Sequence, residues 1–191
     1  MAIEFNTGKV RFSYPHLDKP SAMAEGQTAK YGMVVLIPKT DKETYSKIMK
    51  ACKQLFEENK NTTFKGFEFS EVALPIHDGD GRKPKGGAYG DECKGQWVLS
   101  TSSKNRPGVV DGTRNAVPVD EIPQKAYAGC YGRVRIALAA YNVSGGKGIN
   151  CYLNGVQTYG YGEAFSGGHF EANDFDDGYT DDGDGDEDFG L

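Results

Sequence analysis

The last 21 residues of the chain, Glu171 to Leu191, contain no lysine and no arginine. They do contain ten carboxylates: Glu171, Asp174, Asp176, Asp177, Asp181, Asp182, Asp184, Asp186, Glu187 and Asp188. Removing those ten from the 27 acidic residues leaves 17 against all 22 basic ones. A net charge of −5 therefore divides into a body of +5 and a tail of −10. Such a tail repels itself and has little to bury, so it is expected to be disordered. Other absences narrow the function further. No apolar run approaches the ~18 residues of a membrane span. The opening MAIEFNTGKV has neither the basic nor the apolar part of a secretion signal. Cys52, Cys93, Cys130 and Cys151 are scattered, with no C-x-x-C, and only three histidines are present, which reads as reduced thiols in a cytoplasmic protein and not as disulfides or zinc ligands. No G-x-S-x-G, Walker loop, H-E-x-x-H or zinc-deaminase pattern occurs, so no catalytic residue, cofactor or metal is assigned.

What is present points to short strands and turns: 26 glycines, 12% aromatics and about 165 residues ahead of the tail, enough for one domain with a real core. Lys9 to Tyr14 alternates, with Val10, Phe12 and Tyr14 expected on one face and a stop at Pro15. Lys30 to Ile37 is a nearly continuous apolar run, a deeper strand. Thr40-Asp41-Lys42-Glu43 has the form of a capping box, and the helical spacing of Tyr45, Ile48, Met49, Cys52, Leu55 and Phe56 predicts the one main helix, about 41–58. Phe64 to Phe69 and Val72 to Ile76 read as short extended pieces, followed by a glycine-rich loop, His77 to Gly90, with a basic centre. Gln96 to Ser102 is a strand bearing the only tryptophan, and Ser103 to Gly108 is a second basic loop. Residues 109–128 carry no clear period. Tyr131 to Tyr141, Ile149 to Asn154 and Val156 to Tyr161 predict a three-strand meander, with Asn154-Gly155 as its second tight turn.

The candidate site follows from the Tyr131 to Tyr141 strand. Val134, Ile136 and Leu138 fall on one side, and Tyr131, Arg133, Arg135 and Tyr141 on the other, beside the small Ala137 and Ala139. Arginines neutralise phosphates and tyrosines stack on unpaired bases, so this face suits single-stranded nucleic acid. Tyr152 and the two basic loops, with Lys83, Lys85, Tyr89, Lys104 and Arg106, are expected to join it. Trp97 is equally a stacking platform or a core residue. Asp78-Gly79-Asp80-Gly81 has a calcium-like look without the remaining ligands, and His77 with Asp78 and Asp80 leaves a metal-dependent nuclease as an alternative. A further alternative is an interaction protein whose acidic tail imitates DNA.

The segments GKVRFSYPHLDKP, LPIHDGD and CYGRVRIALAAYN…GKGINCYLNGVQ, in that order and followed by the acidic tail, resemble a family of bacteriophage single-stranded DNA-binding proteins. The resemblance implies a mainly β, OB-fold-like Greek-key barrel over residues 1–165 and a disordered tail over 166–191. It also implies DNA coating in replication or recombination, in the host cell cytoplasm. Single-stranded DNA is the expected partner, with duplex DNA bound more weakly and a homodimer left open. The tail, through Asp186, Glu187, Asp188, Phe189 and Leu191, would compete with DNA and dock replication or recombination proteins. Here the aromatic Phe189 is followed by Gly190 and Leu191, whereas such tails usually end at or next to it.

Overall fold

The structure is a computed structural model that describes residues 1–22 and 24–165. Ten elements follow in chain order: β1 (Ile3–Asn6), β2 (Val10–Ser21), β3 (Lys30–Pro38), α1 (Lys42–Asn59), β4 (Ile76–Asp78), β5 (Gln96–Ser103), β6 (Gly108–Val110), α2 (Ile122–Lys125), β7 (Tyr131–Val143) and β8 (Gly146–Thr158). Antiparallel pairings run β7–β2, β2–β3, β3–β5 and β7–β8, and one parallel residue pair, Ser102 with Tyr152, joins β5 to β8. The five long strands thus close a ring that is only partly sealed at β5–β8, the OB-like arrangement. Around that junction β4 extends β5 on one side and β6 extends β8 on the other. No helix among the described residues is long and apolar enough to cross a membrane.

Alternation explains the core. Phe12, Val35, Ile37, Leu99, Ile136, Leu138 and Leu153 are fully buried inside the ring, and Ile48, Cys52, Leu55 and Phe56 of α1 pack against the same cluster. Each such side chain contributes about 1.5–3 kcal/mol of burial. Closure of the ring depends on Gly132. A Cβ there would collide with the ring of Phe12 and the carbonyl of Gln157, so β2 crosses β7 only because that position is bare. The helix begins at Asp41, not at Thr40: the Asp41 carboxylate accepts from the Thr44 amide at 3.0 Å, and the Thr44 hydroxyl accepts in turn from the Gly8 amide at 2.9 Å. One aspartate therefore caps α1, and its threonine neighbour ties the helix to the β1–β2 turn.

Several expectations need correction. The predicted meander is a single hairpin of two thirteen-residue strands, because Asn154-Gly155 is a bulge within β8 where the register slips between Arg135 and Ile136. β2 does not stop at Pro15; it continues to Ser21 through irregular pairing between Ser13 and His16. That irregularity turns Tyr14 out of the core face on which alternation placed it, leaving it 69% exposed. Phe64 lies in a turn, Phe67 follows it in irregular backbone and Phe69 opens a 3-10 turn, with Phe64 buried and all three packed on the core. β1, β6 and α2 are short elements within stretches of weak period, and the sequence pattern does not announce them.

Candidate nucleic-acid interface

Strands β3 and β5 have an inner face in the core and an outer face with three zones, beyond which a fourth lies at the strand ends. At one end Lys9, Arg11, Leu36, Pro38, Gln96 and Tyr131 line an open groove of about 540 Å³. Arg11 lies 5.0 Å from the Tyr131 ring and 4.3 Å from the Phe165 ring, while Lys9 lies between the Tyr131 and Tyr161 rings at 4.7 and 4.9 Å. Next comes a small apolar patch, Val34, Leu36 and Val98, packed under Tyr89, Cys93 and Phe165. Beyond it the floor is made of Ser100, Gly32 and Ser102. Gly32 pairs with Ser102, and any side chain on Gly32 would strike the Thr101 backbone. Past the floor, at the strand ends, Arg106 lies 5.6 Å from the Tyr31 ring and donates to the Asp18 carbonyl at 3.1 Å; Tyr31 alternates with Met33 and Val35 and so stands at the rim of the ring.

The residues singled out from the sequence separate into two groups. Lys83, Lys85, Tyr89, Lys104, Arg106 and Tyr152 surround the β3–β5 face. Lys83 and Lys85 sit on a small hairpin closed by the Arg82–Ala88 bridge and a bond from the Gly86 amide to the Lys83 carbonyl. Pro84 presets that turn and Gly86, at φ +90°, completes it, so the segment is a built hairpin. Tyr89 anchors it: the ring packs on the apolar patch, and burial pushes its hydroxyl above the ordinary pKa. Tyr152 is 38% exposed and borders the floor through its pairing with Ser102. Lys83, Lys85, Lys104 and Arg106 make no ion pair with a described residue.

The second group lies round the ring on β7. Arg135 is paired with Glu4 of β1 at 2.8 Å, and Asn154 holds the other oxygen of that carboxylate at 2.9 Å. Arg133 donates through Nε to the Thr7 carbonyl at 2.9 Å. Tyr141 lies against Gly148 of β8 at the opposite end of that strand from Arg133. Tyr131 reaches the other group through Arg11, its pairing partner, and Phe165, which packs beside Tyr89. The four side chains do not form one free basic and aromatic surface, since an ion pair between β1 and β7 already uses Arg135. Missed from the sequence were Lys9, Arg11, Tyr14, Tyr31 and Tyr161. Their signal is weak, because each depends on partners distant in the chain. Asp186, Glu187, Asp188, Phe189 and Leu191 lie outside the described residues.

Two open questions close. Trp97 stacks on Tyr45 at 4.2 Å and 16°, with Lys39 5.0 Å from its ring, so it is packed and is no free platform. Asp78 and Asp80 each grip the Lys39 ammonium at 2.6 Å, which holds both carboxyls below their ordinary pKa. Lys39 takes the place between these carboxylates that a nuclease metal would need, and no metal-ligating cluster occurs among the described residues.

Known proteins match this chain along most of its length. The profile of the Enterobacter phage Enc34 ssDNA-binding protein family matches residues 3–189. The chain belongs to this family. It is a family of DNA-binding proteins, not of enzymes. The Enc34 single-stranded DNA-binding protein, solved in complex with ssDNA, is 32% identical, with a TM-score of 0.71 over 85% of this chain and 89% of that one. A protein of Acyrthosiphon pisum secondary endosymbiont phage 1, described as putative protein p50, is 31% identical over 173 residues, 88% of each chain. The gp2.5 single-stranded DNA-binding protein of bacteriophage T7 shares the fold at 16% identity, with a TM-score of 0.58 over 94% of this chain and 99% of its own.

Proposed function

We propose that this protein coats single-stranded DNA, largely without sequence preference, during phage DNA replication or recombination in the host cytoplasm. One observation carries the reading: the outer face of β3 and β5 has a floor of small residues bordered by Tyr152, Tyr31, Lys104, Arg106 and the Lys83–Lys85 hairpin. It occurs on a chain of the Enc34 family. Small floor residues let the backbone of the strand approach, rings stack bases, and free cations neutralise phosphates. OB-like rings use this same strand pair for oligonucleotides. Stacking at ~1–3 kcal/mol per base exceeds most single phosphate contacts and does not depend on which base is present.

Residues 1–165 act as the DNA-binding domain and 166–191 as an acidic tail that competes with DNA. The root of the tail supports this. Phe165, the last described residue, packs on Val34, Leu36 and Val98 and against Arg11, so the acidic segment starts from the binding face itself. A random coil of the tail's length has a root-mean-square reach of about 25–31 Å, enough to cover that face. Displaced by DNA, its end from Asp186 to Leu191 becomes free for replication or recombination proteins.

Fluorescence anisotropy with a labelled oligonucleotide tests the reading, using the full chain and a version ending at Phe170, across salt. Tighter binding by the shorter chain, most pronounced at low salt, is expected, with duplex DNA bound more weakly. No binding by either form removes the DNA-coating function and favours the DNA-imitating tail. Equal binding by the two forms removes the competition alone.

A further inference from the structure

Tyr14 has a backbone φ of +46°, one of two non-glycine residues among those described with a positive value. For a bulky aromatic this is an outlier, and Pro15, which follows, biases the position towards extended backbone as well. Alternation along Val10, Phe12 and Tyr14 would have buried the ring. Instead the irregular pairing of β2 turns it outward, and at 69% exposure most of it gains nothing from packing to offset the strained backbone. Strain of this kind persists where the surrounding structure imposes it, and it clusters at ligand sites.

The position of the bulge gives the strain a use. Ser13 pairs with Val34, and Val34 with Ser100; His16 pairs with Gly32, Gly32 with Ser102, and Ser102 with Tyr152. Tyr14 lies between these two rows, on the β2 side of the small-residue floor, and Tyr152 lies on the β8 side. Three strand spacings separate the two tyrosines, roughly 14 Å. Between them the floor is Gly32, Ser100 and Ser102, with Val34 and the exposed His16 at its edges.

We infer that Tyr14 is a nucleobase-stacking residue, turned outward by the β2 bulge to form the wall of the DNA channel opposite Tyr152. The inference rests on the DNA-coating reading and adds to it a residue and a cause for its conformation. A regular β2 would be less strained and would lose the wall.

The test compares Tyr14→Phe, Tyr14→Ala and Tyr14→Gly with the parent chain, measuring thermal unfolding and affinity for oligothymidylate. Glycine tolerates a positive φ and alanine does not, so the usual strand preference for alanine over glycine should reverse. The glycine variant should melt higher than the alanine variant by about 2–4 °C. Both should bind DNA about 5- to 150-fold more weakly than the parent, the loss expected for one stacked base, while the phenylalanine variant stays close to the parent. Unchanged affinity of the glycine variant overturns the inference and leaves DNA coating intact. So does a phenylalanine variant as weak as glycine, since the ring would then not be the binding element. A glycine variant that melts below alanine overturns the claim of strain. Failure of the parent chain to bind overturns the functional reading instead.

Discussion

Replacing Lys104 and Arg106 by alanine should flatten the salt dependence of DNA binding, and replacing Arg135 should not. The contrast comes from what each cation already touches. Arg135 is neutralised by Glu4 at 2.8 Å, both side chains being about half exposed, so its charge is not available to a phosphate without breaking that pair. Arg106 bonds a neutral carbonyl, that of Asp18, and lies along Tyr31; Lys104 is exposed with no carboxylate on it among the described residues. Each phosphate contact on a single strand contributes ~0.7 to the slope of log K against log salt, so losing two makes it shallower by ~1.4. Between 50 and 200 mM salt a change of that size amounts to about sevenfold in affinity. The double variant should thus be about seven times more impaired, relative to the parent, at 50 mM than at 200 mM. Arg135→Ala should keep the parent slope and lose at most ~1 kcal/mol of stability, as befits an exposed pair. Anisotropy titrations at four or five salt concentrations decide it. A parent-like slope for Lys104→Ala/Arg106→Ala, or a flattened one for Arg135→Ala, would refute the assignment of the binding face.

Gly132→Ala should destabilise the fold by about 1–3 kcal/mol, as overpacking between Phe12 and the Gln157 carbonyl, read as a lower urea midpoint with an unchanged m-value. The Lys39–Asp78–Asp80 cluster should make stability depend on pH at both extremes. Its carboxyls are held below the ordinary 3.8 and its ammonium above the ordinary 10.5. Both contributions are therefore complete between those values. One is lost on acidification as the carboxyls protonate, the other on raising the pH as Lys39 deprotonates. Lys39→Met should remove the alkaline limb and shrink the acid one, because the Asp80 and Gly95 amides still bond the charged carboxylates; thermal unfolding from about pH 2 to 11 that kept the alkaline limb would contradict this.

How much the sequence disclosed depended on how far apart the determinants lie. The helix was readable because its spacing and its apolar stripe are local, although its cap is Asp41 and not Thr40. The two strands of the long hairpin were readable from alternation, yet their continuity was not: Asn154-Gly155 has the chemistry of a turn, and only pairing with Arg135 makes it a bulge. The basic loop at Lys83 and Lys85 and the tail were evident from composition alone. The face chosen on β7 is not one surface in the fold. Tyr131 does join a cluster of rings and cations, but Arg135 is bonded to Glu4, 131 residues earlier in the chain, and no local pattern reports that pair. Tyr14 failed for the opposite reason. Its alternation was local and clear, and a bulge set by β3 overrode it. Over residues 109–128, where periodicity ran out, α2 was not read at all.

Single-stranded DNA should lie on the outer face of β3 and β5. Photocrosslinking of a 5-iodouridine oligonucleotide, with the linked tyrosines mapped by mass spectrometry, tests that placement directly. Crosslinks at Tyr14 and Tyr152 are the expected result. Crosslinks confined to Tyr141 and to peptides spanning Arg133 and Arg135 would move the strand to β7 and contradict it.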